Sequence, residues 1–144
     1  GGVGGTVNVR SSIVAGNTAS SSNSGPDVAG QFASQGHNLV GKSDGSTGFT
    51  GGTNGEIVGT ASAPFDAMLR PLGNYGGPTE TQLPHPASPA IDAGDDAVLN
   101  PPLSLATDQR GFARKVGSHV DIGAVEFNPT TDAPGGDFQF AAFL

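Results

Sequence analysis

The chain has 144 residues, 13 acidic against six basic side chains, a formal charge of −7 and no cysteine. The length suits one domain with a single core, and no apolar run reaches the roughly 20 residues of a membrane span. The few Lys and Arg form no cluster, which argues against nucleic acid as a partner and against a polyanion unless a cation bridges the two. Without cysteine there are neither disulfides nor thiolate metal sites.

Leu, Ile, Val and Phe make 31 of the 144 residues, while Gly and Pro make 35. That apolar share lies just above the roughly 20% below which disorder is expected. The apolar residues come in short clusters separated by Gly, Asn, Ser and Asp, the pattern of many brief strands joined by turns. The expected fold class is therefore all-β, with at most one short helix.

The chain opens Gly1-Gly2-Val3-Gly4-Gly5, with no Met and no signal-peptide n-region, and so reads as part of something longer. Three stubs follow that resemble one another: Ile13-Val14-Ala15-Gly16-Asn17, Leu39-Val40-Gly41-Lys42 and Ile57-Val58-Gly59-Thr60. Their starts lie 26 and 18 residues apart. A repeat of roughly 20–25 residues carrying a short strand is the mark of a solenoid, whose turns bury one another's apolar faces. Loops are expected from Ser20 to Pro26, Lys42 to Gly48 and Gly51 to Gly55. One or two helical turns are predicted over Ser62–Leu69, with Phe65, Met68, Leu69 and Leu72 on one core-facing stripe and Pro71 as the stop.

From Gly73 the texture changes. Thr81-Gln82-Leu83 and Ala90-Ile91-Asp92 are expected strands, and Asp95–Ala106 an irregular loop. Val120-Asp121-Ile122 and Ala124-Val125-Glu126-Phe127 read as a final strand bent at Gly123. A linker is predicted over residues 128–137, before an apolar tail or the start of a further segment at 138–144.

Seven motifs in order resemble the C-terminal region of bacterial choice-of-anchor Q domain proteins. They are Ser12–Asn17, Gly25-Pro26-Asp27-Val28, Gly36–Gly41, Asn74–Thr79, Ser88–Gly94, Thr107–Gly111 and Asp121–Glu126. The resemblance covers about residues 10 to 127. It implies a right-handed parallel β-helix of the pectate-lyase-like type, of which residues 1–127 would be the terminal coils and a C-terminal cap. It also implies a secreted or cell-surface location, and it implies activity poorly. The Ser-Pro-Ala-Ile-Asp-Ala-Gly and Asp-Ile-Gly-Ala-x-Glu motifs also close the β-helices of some polysaccharide lyases and glycosidases, where they resemble a cap.

Asp108, Arg110, Asp121 and Glu126 are the most suggestive charged set. A functional reading makes two of the acids a glycosidic acid/base pair. The favoured structural reading pairs Arg110 with Asp108, Asp121 or Glu126 and locks the last turns. Strand alternation puts Glu126 beside the core, where a carboxylate needs a partner, and the planar guanidinium offers two hydrogen bonds. Asp92, Asp95 and Asp96 form an oxygen-rich stretch that could hold calcium, although the spacing departs from the regular calcium loop. No other cofactor is expected. His37, His85 and His119 share no metal spacing, and no nucleophile motif appears.

The expected function is thus a non-enzymatic structural or adhesive module. Such a module would associate with itself through the open coil end or the 138–144 tail, or would bind surface polysaccharide. The rivals are the C-terminal part of a polysaccharide lyase or glycosidase whose active site lies upstream, and a carbohydrate-binding module, which would want exposed aromatics.

Overall fold

A computed structural model describes residues 5–19 and 25–133. The tail at 138–144, with the self-association expected of it, lies outside the described residues. What is described is nearly all-β, with two small parallel sheets and no α-helix.

The first sheet has the order β1 (Val7–Val9), β3 (Gly30–Ser34), β5 (Ser46–Thr47), and the second β2 (Ile13–Val14), β4 (Leu39–Val40), β6 (Ile57–Val58). The chain visits the two sheets alternately, three times over. All pairings are parallel, and the three apolar stubs stack in register as expected, Ile13 on Leu39 on Ile57 and Val14 on Val40 on Val58. The middle stub is sealed from solvent, Leu39 and Val40 both at 0% exposure. Ile13 and Ile57 are partly buried and pack against the core formed by Leu39, Ala67, Ala90 and Ile122.

The corners between the sheets stack as well. Ser11 N–H donates to Gly36 O, and His37 N–H to Asn54 O. Ser11, His37 and Asn54 take positive φ values of 45°, 54° and 49°, so one sharp bend recurs in each turn of chain. Just inside the corner, fully buried Asn38 ties three turns together. Its Nδ2 donates to Val9 O, Ser34 Oγ and Glu56 Oε1, and its Oδ1 accepts from Ser12 N–H. Gly48 is required where it stands. Its φ is +102°, and a Cβ there would lie 1.9 Å from the Phe32 carbonyl oxygen.

Beyond β6 the regular ladder ends. The predicted helix over 62–69 is not formed, because its backbone groups find partners elsewhere. Phe65 N–H donates to Gly41 O, Arg70 N–H to Leu83 O and His85 N–H to Met68 O. Met68 sits at φ +50°, a conformation no helix contains. Only part of the expected stripe faces inward: Leu69 packs on the core beside Ala67, while Phe65, Met68 and Leu72 are exposed.

The expected strands at 81–83, 90–92 and 120–127 are not strands either. Residues 69–84 are joined by the isolated antiparallel bridges Leu69–Pro84 and Gly73–Thr81. Residues 90–94 touch 120–122 through two backbone–backbone bonds, Ile122 N–H to Ala90 O and Gly94 N–H to Val120 O. Prolines and glycines at close intervals prevent a ladder from propagating. The stretch read as loop at 95–106 holds one 3₁₀ turn over Asp96–Leu99, capped by Asp95, whose carboxylate accepts from Ala97 N–H. Among the described residues no helix is long and apolar enough to cross a membrane.

Candidate functional site: a buried ionic network in the C-terminal block

The segment Thr107–Ala113 is a tight turn closed by an antiparallel bridge between its ends. Asp108 organises it from within: its Oδ1 accepts from the N–H groups of Arg110 (2.8 Å) and Phe112 (3.1 Å). Carboxylates favour such local bonds to the backbone, which is why Asp initiates turns. The turn faces Arg110 inward, where the side chain is 1% exposed. Gly77 allows its neighbour to come that close, since a Cβ there would lie 2.5 Å from Arg110 Cα.

Arg110 then spends its donors on four residues. Nε bonds Asp108 Oδ2 at 3.0 Å, Nη2 bonds the Glu126 carbonyl at 2.6 Å, and Nη1 reaches Asp132 Oδ1 at 3.2 Å and Tyr75 O at 3.3 Å. The guanidinium also lies 4.8 Å from the centroid of the Phe112 ring. Burial opposes the Arg110 charge, yet the hydrogen bonds to Asp132 and Asp108 outweigh it and hold its pKa above the ordinary value.

Of the three acids nominated for Arg110, the structure pairs its side chain with Asp108. The Glu126 carboxylate belongs instead to Arg114, at 3.0 Å. It also accepts from Asp121 N–H at 3.0 Å and Val116 N–H at 2.9 Å. Arg114 Nη2 continues to the carbonyls of Asp121 (3.0 Å) and Gly123 (2.8 Å). Among the described residues Asp121 has no ion pair; its two oxygens accept the N–H groups of Asp92 (2.8 Å) and Phe127 (2.6 Å). The network thus has two centres, Arg110 with Asp108 and Asp132, and Arg114 with Glu126.

Sequence reasoning missed Arg114 and Asp132. A charge count would have found the first, because two buried acids flanking one arginine leave one acid without a cation, and Arg114 is four residues on. Asp132 lay in the predicted linker. Residues 128–132 are instead closed on themselves by Asn128 N–H donating to Asp132 Oδ2 at 2.9 Å, and tied down by Arg110 at the Asp132 carboxylate and by Arg70 Nη2 donating to Asp132 O at 2.6 Å.

Burial sets the electrostatics. It pushes the Glu126 carboxyl up to about 6, helped by the nearby Asp121 charge and opposed by the N–H groups of Asp121 and Val116 and by Arg114. Burial also raises Asp121, against its two backbone donors. A value near 6 would suit a general acid. However, Glu126 and Asp121 are each 1% exposed and Asp108 is 7% exposed, and every one of their oxygens is taken by an internal donor.

The calcium candidates do not converge. Asp95 pairs with Arg10, which is the first cause of its lowered pKa. Asp96 bonds Lys115 Nζ at 2.6 Å, Val120 N–H and His119, and Lys115 chiefly holds it at about 2. Asp92 Oδ1 accepts from His119 N–H. Among the described residues no group of three or more His, Cys, Asp or Glu is placed to hold a metal ion. Of the other histidines, His37 Nδ1 lies 2.9 Å from Ala93 O, joining stack to block, and His85 serves a local turn.

Comparison with known proteins produced no match, whether to a family model, a curated protein or a solved structure. The likeness to choice-of-anchor Q proteins therefore rests on the sequence motifs alone.

Proposed function

We propose that residues 1–127 are the terminal turns of a right-handed parallel β-helix from a secreted or cell-surface bacterial protein, acting as a non-enzymatic structural or adhesive module. Two parallel sheets visited alternately by successive turns of chain support the solenoid reading. The ordered motifs support the location. The observation that carries the non-enzymatic part is the filled state of Asp108, Asp121 and Glu126. Acids arranged to turn over a substrate keep an accessible oxygen, and these three are used up holding the backbone of residues 92–127. The block also ties back to the first turn of the stack, through Arg10 to Asp95 and through Gly123 N–H to Ser11 O. In this reading the C-terminal block is a latch on the stack rather than a site.

The test is an assay of the chain on pectate, alginate and neutral glycans. No turnover is expected. Turnover that disappears in Glu126→Gln or Asp108→Asn would overturn the reading.

A further inference from the structure

The latch leaves unexplained a cleft on the flank of the stack. It lies where the chain leaves β2 and β4, between the corner residues Gly16 and Lys42 and the segment Pro64–Leu69, and has a volume of about 390 Å³. That falls in the roughly 300–1,000 Å³ range of small-molecule sites.

Its chemistry is mixed in a particular way. Ala67 is buried in the floor, and Phe65 stands on the rim with 45% of its surface exposed. Around them are Asp27, Asp66, Lys42 and Gln82. Asp27 Oδ1 accepts from Asn17 N–H at 2.7 Å, while its Oδ2 is buried against Gly41 and, among the described residues, has no hydrogen-bond partner. Gly41 leaves room for that oxygen, since a Cβ there would lie 2.7 Å from it. Asp66 Oδ1 holds the Met68 N–H, and among the described residues its other oxygen, Lys42 Nζ and the Gln82 amide make no hydrogen bond.

From this set we infer that the cleft binds a neutral sugar unit of a glycan, a proposal that stands independently of the latch. Carboxylates accept from hydroxyl pairs, the ammonium and amide donate to hydroxyl and ring oxygens, and the half-exposed Phe65 ring covers the C–H face of a pyranose. Two carboxylates against one ammonium repel a uronate. They also give an apolar ligand no reason to settle, because the polar groups would lose water without replacement.

The experiment titrates the intact chain by calorimetry with four neutral hexasaccharides, built of glucose in α- and β-linkage, xylose and mannose, and with hexagalacturonate. At least one neutral hexasaccharide is expected to bind and hexagalacturonate to bind at least tenfold more weakly. Phe65→Ala and Asp66→Asn should each weaken the neutral ligand about tenfold, equivalent to about 1.4 kcal/mol, with melting temperatures close to the parent's. Leu103→Ala, an exposed apolar residue away from the cleft, should bind as the parent does. Binding of no neutral hexasaccharide, equal binding of hexagalacturonate, or full binding by both cleft variants overturns the proposal. None of these outcomes bears on the latch, whose failure would appear in catalysis or melting instead.

Discussion

The two halves of the molecule satisfy their backbones by opposite means. From Val7 to Val58 the chain bonds to its own next turn, carbonyl to amide, in two parallel ladders. From Ala90 to Asp132 it has no ladder, and side chains do the work: Asp92, Asp96, Asp108, Asp121, Glu126 and Asp132 all accept backbone N–H groups. A ladder needs only short apolar stubs in register. A block without one needs acids that accept its orphan donors, and arginines beside those acids that backbone N–H groups alone do not satisfy. The stack should therefore tolerate charge changes that unfold the block.

The comparison is broken most severely at Glu126. Glu126→Ala leaves Arg114 buried without its carboxylate and frees the N–H groups of Asp121 and Val116. Loss of one partner of a buried pair costs about 3–5 kcal/mol, so a fall in melting temperature of many degrees is expected. An unchanged melting curve would mean the network does not hold the block. Arg110→Ala should approach the same cost, because it strands Asp108 and Asp132.

Within the stack a comparable site is Asn38. Asn38→Ala removes two N–H donors, shared among three acceptors, and one acceptance at a fully buried position. About 2–3 kcal/mol is expected from donors and acceptors left unpaired, measured by urea denaturation. If the loss equals or exceeds that of Glu126→Ala, the contrast between the halves is wrong.

A pH titration sharpens the comparison. The Glu126 carboxyl moves from an ordinary value of 4.5 to about 6, so the folded chain holds that proton more tightly than the unfolded chain. This contribution is fully present below 4.5 and is lost as pH rises through 6. Stability should accordingly increase on acidification from pH 7 to 5, by about 1 kcal/mol, and Asp121 acts in the same sense. Glu126→Gln should flatten that slope. At lower pH the trend reverses, because Asp95 and Asp96 are held below the usual aspartate value and their support is lost as they protonate.

The smallest effect is expected at Asp96–Lys115, where the two side chains are 35% and 33% exposed. Lys115→Met should change stability by under about 1 kcal/mol and only at low salt.

The sequence by itself determined the stack and nominated most of the network. A two-residue apolar stub followed by glycine, repeated at Ile13, Leu39 and Ile57, has few ways to bury itself except on copies of itself, and the three do pair in register. The acids Asp108, Asp121 and Glu126 with Arg110 were legible as a set, because charges among Ile122, Val125 and Phe127 must be paired. Tertiary structure alone decided which partners they take. Pairing depends on how the Thr107–Ala113 turn aims two arginines four residues apart, and spacing along a chain with no regular element sets no direction for a side chain. The same limit explains the missing helix at 62–69. Its apolar periodicity was real, but Gly41 O and Leu83 O, distant in sequence and near in space, offered Phe65 and Arg70 better-placed acceptors than a helix of two turns bounded by prolines.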